Sequence, residues 1–299
     1  MFPIIPANTV AESGNDEGIL LWGTPTSGTN LISNTGVVSS DTSTPVGATA
    51  KNYSAATQYG GDKGIVAFGN TYVDESNLIS NTGVVSSDVA GVGTDRSTLA
   101  ACSFGGDKGI FGFGYTGSYV SITNLVSNAG VVASDQAATT GTARAGLSAC
   151  EYGTDTAIFA FGTTGSVVDE SNLVTNTGVV GSDVSNASST ARRLVGGCSY
   201  GGDKGIFGFG YHSSSINETN LVTNAGVIGS DVAGVGTNRG YVQACEYGQD
   251  KGIFGGGETF GSGYTAVTNL VSNTGVVASD TAAVAGVTAR QAYAACSFN

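Results

Sequence analysis

The sequence predicts an all-β protein built from six similar units, and three observations lead to this fold class. First, a turn centred on an aspartate recurs at spacings of 45–48 residues. Second, each turn precedes a short apolar strand. Third, no stretch has the 3.6-residue periodicity of an amphipathic helix. Internal repeats of this length are typical of stacked structural units. The six turn residues are Asp16, Asp62, Asp107, Asp155, Asp203 and Asp250.

The unit at residues 192–231 shows the predicted plan of four antiparallel strands, at 194–200, 205–210, 219–223 and 227–231. Glycines in the turn after the first strand supply the positive φ that a tight turn needs. Gly208, between two phenylalanines, leaves room for a neighbouring sheet to approach. An Asn-Ala-Gly or Asn-Thr-Gly turn joins the last two strands. Four short strands in ~47 residues are typical of a propeller blade, so we predict a six-bladed β-propeller.

The two ends of the sequence predict how the ring closes. Residues 15–23 begin with a second strand, whereas residues 290–299 end just after a first strand. Pairing the C-terminal strand with the N-terminal blade would complete the sixth unit and remove an exposed edge. Residues 1–14 lie outside the repeats and contain Pro3 and Pro6, so they are predicted to form an extended arm. The predicted domains are thus the arm at 1–14 and the propeller at 15–299.

Composition and charge narrow the class of partner. The net charge is −12, and ten of the eleven basic residues occupy repeat positions, so only Arg193 is spare. No basic face remains for phosphates, which argues against nucleic-acid binding. No apolar run is long enough to span a membrane, and the first residues lack the pattern of a signal peptide.

The five cysteines are predicted to be free, buried and apolar in role. Four of them recur at spacings of 48, 48 and 47 residues, as Cys102, Cys150, Cys198 and Cys245, and Cys296 follows. Equivalent positions in successive units should lie beyond the ~7 Å Cα separation that a disulfide tolerates. Free thiols suit a chain made in a reducing cytoplasm. No CxxC pair is present, so no zinc site or other cofactor is predicted.

The repeat resembles that of the kelch family. The residues that carry the resemblance are Arg192, an apolar strand, the run Asp-Lys-Gly-Ile-Phe-Gly-Phe-Gly at 203–210, and Asp231 before the next arginine. The pattern departs from kelch because paired glycines end the strand only at 255–257, and valine stands at the tryptophan position. The Gly-, Asn-, Ser- and Thr-rich repeats are also similar to those in bacteriophage tail and fibre proteins. These resemblances imply a kelch-like propeller in a virion.

Three polar patterns have both a structural and a chemical interpretation. Aspartates before the fourth-to-first connection, such as Asp231, could form a cation-binding ring, but pairing with the repeat's Arg or Lys is favoured. The turn aspartates offer one carboxylate each, too few for Ca²⁺. His212 is the only histidine, which argues against a Ser-His-Asp hydrolase. We therefore predict that the protein is not an enzyme, and a propeller hydrolase is the third alternative.

Partner binding is predicted at two places. Loops between the second and third strands, such as 211–218 and 258–267, vary among the repeats. Strand alternation predicts that they share one face with the connections between fourth and first strands, while the near-invariant turns share the other. Varied loops on a rigid scaffold are where binding usually resides. Drift in unselected loops remains the alternative. The arm would bind through apolar residues, although docking on its own propeller also remains open. The candidate partner-binding residues are Phe2, Ile4 and Ile5 in the arm, and Tyr72, Tyr115, Tyr119, Tyr211, Phe260 and Tyr264 in the loops.

The predicted function is a non-enzymatic structural or interaction module of a virion, such as a phage tail, fibre or decoration component. It would be attached through its arm or one propeller face to other virion proteins or to copies of itself. The alternative is a propeller that recognises a host-surface glycan.

Overall fold

The structure, a computed structural model, describes residues 16–70, 72–137 and 140–298. Its 18 strands form six three-stranded antiparallel sheets. These ranges contain no helix, and so none that could cross a membrane.

Sheet 1 contains β3 (Ala55–Tyr59), β4 (Lys63–Gly69) and β5 (Val73–Ile79); sheet 2 contains β6 (Ala100–Phe104), β7 (Lys108–Gly112) and β8 (Thr123–Val126); sheet 3 contains β9 (Ser148–Tyr152), β10 (Thr156–Ala160) and β11 (Ser171–Val174). Sheet 4 contains β12 (Gly196–Tyr200), β13 (Lys204–Tyr211) and β14 (Ser215–Val222), and sheet 5 contains β15 (Gln243–Tyr247), β16 (Lys251–Thr259) and β17 (Gly263–Val271).

Sheet 6 is assembled from two distant parts of the chain. It contains β18 (Ala294–Phe298), β1 (Glu17–Leu21) and β2 (Thr29–Ile32), with β1 in the centre. The β18–β1 pairing is antiparallel and places Glu17 opposite Phe298. The predicted pairing of the last strand with the first is thus present. Among the described residues, each sheet remains open and none closes on itself.

The prediction of four strands per unit is wrong, because each sheet has three. In sheet 4 the segment predicted as the fourth strand touches β14 at two isolated bridges, Val222 with Ile228 and Thr219 with Val232. The bridged residues are three apart on β14 but four apart on the partner segment. One extra residue interrupts the ladder, as in a β-bulge. The other five sheets have the same mismatch, so a bridged segment replaces the fourth strand throughout.

The six sheets follow one another in a cyclic, propeller-like order. Each of the six buried apolar clusters joins two neighbouring sheets, and one of them joins sheet 6 to sheet 1 through Phe298, Cys296 and Val66. Main-chain hydrogen bonds follow the same order just before the first strands. Tyr53 donates to the Ala292 oxygen at 2.7 Å, and Thr98 donates to the Tyr53 oxygen at 2.9 Å. Three more such bonds continue the series through Gly146, Leu194 and Tyr241.

These hydrogen bonds depend on an unusual backbone conformation. The six equivalent residues before the first strands all have φ between 52° and 63°, although only one of them is glycine. Left-handed φ is costly for other residues and persists only where surrounding contacts fix it. The inter-sheet hydrogen bonds supply that constraint. Sheet 4 therefore begins at Gly196 and not at Leu194 as predicted. The six positions are Tyr53, Thr98, Gly146, Leu194, Tyr241 and Ala292.

Close packing between sheets explains the glycines of the second strands. A Cβ on Gly252 would lie 2.7 Å from the Cys198 Sγ of the neighbouring sheet, and one on Gly64 would lie 2.7 Å from Cys296 Sγ. The five cysteines are free and buried, as predicted. A Cβ on Gly208 would lie 2.8 Å from the Phe254 ring of the next sheet, which confirms the predicted close approach. Sheets therefore interlock through glycine holes that receive sulfur and aromatic groups.

Candidate functional site

The molecule has two faces, and their composition is as predicted. The turn face holds the Asp-centred turns and the Asn-Thr-Gly or Asn-Ala-Gly turns. The two kinds of turn are hydrogen-bonded to each other, as in sheet 2, where Asn128 donates to the Asp107 carboxylate at 2.9 Å. The loop face holds the connections between second and third strands and the segments that lead to the next first strand. There the main chains of Arg193 and Tyr211 exchange hydrogen bonds of 2.8 and 3.0 Å. The varied loops therefore gather on one side.

Buried cations lie beneath the loop face, one per unit. Arg192 is fully buried and donates to the Phe209 oxygen at 2.9 Å and the Thr190 oxygen at 3.1 Å. Its third contact is the Asn220 side chain at 2.6 Å. Burial lowers the pKa of Arg192 to about 10, which still leaves it charged at neutral pH. The equivalent residues are Lys51, Arg96, Arg144, Arg239 and Arg290, all nearly inaccessible.

The aspartates that could have formed a cation-binding ring are instead paired with these cations. Asp231 lies 3.7 Å from Arg192 and accepts hydrogen bonds from Thr190 and Asn220. Burial opposes the charged form of Asp231, but these hydrogen bonds outweigh it and lower its pKa. All six pairs have N–O distances of 3.2–4.0 Å. Arg192 also reaches the preceding sheet, because its guanidinium lies 4.1 Å from the centre of the Phe161 ring and its main-chain oxygen accepts from Gly162. We call the cations, their aspartates and the asparagines between them the inter-sheet framework.

The turn aspartates are also occupied by protein groups. Asp107 lies 2.9 Å from Lys108 and accepts from Asn128, so its carboxylate fastens the two turns of sheet 2. Asp250 is held in the same way by Lys251 and Asn273. In the described ranges, no group of three or more His, Cys, Asp or Glu residues is placed to hold a metal ion.

The structure brings some of the predicted loop aromatics together and leaves others apart. Tyr115 and Tyr119 form an edge-to-face pair in sheet 2, with ring centroids 5.4 Å apart. Tyr211 contacts Phe260 between sheets 4 and 5, with ring centroids 4.5 Å apart. Tyr72 and Tyr264 are each about 40% exposed and have no aromatic neighbour in the described chain. The predicted arm residues Phe2, Ile4 and Ile5 lie outside the described residues.

Two long hairpins place Tyr211 and Phe260 side by side. The loops predicted at 211–218 and 258–267 are mostly strand, since β13–β14 and β16–β17 continue almost to their tips. Each hairpin has a register shift at glycine, between Gly208 and Gly210 and between Gly255 and Gly257. The tips are linked by the Phe260 N–H, which donates to Ser215 Oγ at 3.3 Å. The loop face is therefore raised at sheets 4 and 5.

A narrow axial channel lies between the first strands of the six sheets, and Tyr53 and Tyr241 line its mouth. An aromatic ledge extends from the two hairpins to this mouth. Phe260 stacks on Tyr241 with ring centroids 6.0 Å apart and planes 25° apart. Tyr241 in turn meets Tyr53 of sheet 1 edge to face at 5.7 Å. Burial, followed by the nearby Tyr53, raises the pKa of Tyr241, whose hydroxyl stays protonated at neutral pH. The aromatic ledge is defined as Tyr53, Tyr211, Tyr241 and Phe260.

Arg193 lies at the ledge and differs from every other cation of the chain. Its guanidinium is 5.5 Å from the centre of the Tyr211 ring, and the residue is half-buried. The other ten basic residues each form an ion pair, whereas Arg193 has no carboxylate within 4.0 Å among the described residues. Glu258 and Arg193 both act electrostatically on Tyr241, so the ledge carries one charge of each sign.

The axial channel between the first strands is narrow. One cavity in it has a volume of about 60 Å³ and is bordered by the cysteines and by polar residues that include Ser103, Glu151 and Ser199. Burial raises the pKa of Glu151 from 4.5 to about 7, although a hydrogen bond from Ser103 opposes the shift. Burial also raises the pKa of all five cysteines. These thiols are therefore protonated and poor nucleophiles at neutral pH.

Tyr53, Tyr241 and Glu258 at the ledge were not predicted from the sequence. Tyr53 and Tyr241 each stand two residues after the buried cation of their unit, and the other four units have Thr, Gly, Leu or Ala there. Aromatic residues at only two of six equivalent positions were the available signal. Comparison of the sequence with protein-family models and with curated proteins gave no match.

Proposed function

We propose that the chain is a six-bladed kelch-like propeller that serves as a non-enzymatic interaction module, with the loop face as its recognition surface. The observation that carries this proposal is the aromatic ledge with Arg193 beside it. Aromatic residues and arginine are the types enriched where proteins bind partners. Elsewhere the repeated polar residues are used in the inter-sheet framework, which supports a scaffold role for the rest of the molecule.

The proposal includes a place in a virion, as a component of a phage tail, fibre or decoration. Its support is the resemblance of the repeats to those of such proteins. In this arrangement residues 1–14 would attach the module to other virion proteins or to copies of itself. The loop face would then remain available to a target.

A glycan is the favoured target class. Aromatic side chains combine a large apolar surface with polar groups, and carbohydrate rings present both C–H faces and hydroxyls. The ledge offers such surfaces together with the hydroxyls of Tyr53 and Tyr241. A hydrolase, the third alternative, has no comparable support, because His212 is exposed and bonded through Nδ1 to the Ala191 oxygen.

The test separates attachment from recognition. Particles are assembled with the wild-type chain, with a chain lacking residues 1–11, or with a chain carrying both Tyr211→Ala and Phe260→Ala. Loss of the arm should abolish incorporation, whereas the double variant should be incorporated and fail to bind host cells. A chain with Tyr115→Ala and Tyr119→Ala serves as the matched control and should bind. Normal host binding by the ledge variant would contradict the proposed recognition surface.

A further inference from the structure

We propose that the aromatic ledge and Arg193 form a binding site for a saccharide that carries a carboxylate, such as a uronic or sialic acid. This inference rests on the proposed function, of which it names the ligand class. It depends on four features of the site: an unpaired cation, an exposed aromatic side chain, hydrogen-bonding groups, and a rigid support.

The unpaired cation indicates an anionic group on the ligand. The chain has a net charge of −12, and its other ten cations lie next to carboxylates. Arg193 lies 5.5 Å from the centre of the Tyr211 ring, whose face attracts the guanidinium but is only a weak acceptor for its N–H groups. A planar guanidinium matches a carboxylate through two parallel hydrogen bonds. A single cation also suits one carboxylate and not a polyphosphate, which requires several.

The ring faces indicate a sugar ring. Phe260 is 40% exposed, and it stacks on Tyr241 and contacts Tyr211. Because Tyr241 covers one face of Phe260, the accessible apolar surface of this aromatic cluster is centred on Phe260. Such a surface suits the C–H face of a pyranose, which is flat and only partly apolar. Arg193, at the Tyr211 end, could reach a carboxylate on the edge of a ring stacked there.

The polar groups around the ledge match saccharide hydroxyls, which both donate and accept. Glu258, whose main chain pairs with that of Gly240, supplies an acceptor beside Tyr241. The Tyr241 hydroxyl is already hydrogen-bonded to Tyr53, so these two hydroxyls present one paired polar group. His212 is exposed and follows Tyr211 directly in the hairpin. Correctly placed polar groups of this kind give a largely apolar site its specificity.

The support under the ledge is rigid before any ligand binds. The Arg193 main chain is paired with that of Tyr211, and the Phe260 N–H is bonded to Ser215 of the neighbouring hairpin. The Phe260 ring also covers Gly240, where a Cβ would lie 3.0 Å from the ring. Because these positions are already fixed, binding orders few side chains.

The experiment is calorimetric titration of the full chain with two matched pairs of ligands. One pair is trigalacturonate and its methyl ester, and the other is sialyllactose and lactose. We expect at least one acidic ligand to bind at least tenfold more tightly than its neutral counterpart. Which acid binds distinguishes a uronate from a sialate.

Three variants assign the binding to the ledge. Arg193→Gln should weaken acidic-ligand binding about tenfold to a hundredfold, the range expected when a charge-assisted hydrogen bond is lost. Phe260→Ala should weaken it about tenfold, since an aromatic contact is removed. Tyr119→Ala removes a loop-face aromatic from a pair without an arginine and should change binding less than twofold. Unchanged circular dichroism confirms that each variant is folded.

The outcomes separate this inference from the proposed function. If neutral and acidic ligands bind equally and Arg193→Gln has no effect, the inference is wrong, but a role of Phe260 in host binding would still support the interaction module. If none of the four ligands binds, the acidic-saccharide inference is likewise overturned. Should ledge variants also bind host cells normally, the proposed recognition surface fails as well.

Discussion

Arg192 and Arg193 are neighbours in the chain but belong to two regions with different chemistry. Arg192 is part of the inter-sheet framework, is fully buried, and has each of its three guanidinium nitrogens bonded to the protein. Arg193 lies at the aromatic ledge, half-buried and with no carboxylate partner in the described chain. The framework uses its cations internally, whereas the ledge leaves one available. This difference separates residues that hold the sheets together from residues that can bind.

The largest expected effect is loss of the folded state when the cyclic order of the sheets is broken. Deletion of residues 290–299 removes β18 and Arg290, so sheet 6 loses a strand and its link to sheet 1. Each buried aliphatic or aromatic side chain that becomes exposed costs about 1.5–3 kcal/mol, and Phe298 and Cys296 are both buried. We expect cooperative loss of the folded state, measured by circular dichroism. An unchanged melting temperature would contradict the cyclic order.

The second effect compares the two arginines directly. Arg192→Met should destabilise the protein by about 3–5 kcal/mol, because it leaves Asp231 and Asn220 without their buried partner. Arg193→Met should change the free energy of unfolding by less than about 1 kcal/mol, as expected at a surface position. Urea denaturation of both variants provides the measurement. Equal destabilisation would mean that Arg193 also belongs to the framework.

A smaller effect concerns the glycine holes between sheets. Gly252→Ala places a Cβ against Cys198 Sγ and should cost about 1–3 kcal/mol through overpacking. Gly181→Ala is the matched control, since its nearest contact would be an ordinary 3.5 Å and its φ is not left-handed. It should be close to neutral. Adding Cys198→Ala to the Gly252 variant should recover part of the loss, as a double-mutant cycle would show.

The last effect, no larger than that of the glycine substitution, is pH-dependent and lies in the axial channel. Because burial raises the pKa of Glu151 from 4.5 to about 7, its contribution to stability is full below pH 4.5 and lost as the pH rises through 7. Glu151→Gln should therefore leave stability near pH 4 unchanged and raise it at pH 8 by about 1–3 kcal/mol. Ser103→Ala should lower stability at pH 8, since it removes a donor to the carboxylate. Melting curves at both pH values would show whether these opposite changes occur.

The inter-sheet framework determines how the stability of the protein changes at acidic pH. The six framework aspartates have lowered pKa values, so their stabilisation is present above their ordinary pKa of 3.8 and is lost as the pH falls further. Wild-type stability limited by these groups should fall below about pH 4.

Local chemistry made the repeated parts of the fold predictable. Gly208 between two phenylalanines indicated close sheet packing, and the spacing of the cysteines indicated buried free thiols. The phase of the repeat at the two ends indicated that β18 pairs with β1. The bridged fourth segment was not predictable in this way. A run such as Val227-Ile228 satisfies a strand pattern whether or not one extra residue interrupts the ladder.

Only two of the four ledge residues could be predicted from the sequence, and the reason is geometric. Tyr211 and Phe260 occupy obviously variable loops, but Tyr53 and Tyr241 belong to sheets 1 and 5 and meet across the channel mouth. That contact depends on the cyclic order, which brings together units distant in the chain. Arg193 was predicted as the spare cation. Its position beside Tyr211 follows from main-chain pairing of the two residues, which the spacing of the repeats does not predict.

The series of five main-chain hydrogen bonds at the channel mouth also bears on how such a surface could diversify. The bonds use only backbone atoms, so the frame does not depend on which side chain each position carries. Six positions around one opening already hold Tyr, Thr, Gly, Leu, Tyr and Ala with the same backbone conformation. Substitution there would alter the chemistry of the mouth while the architecture persists. Single substitutions at these six positions, whether natural or engineered, would therefore change the binding specificity of the mouth stepwise.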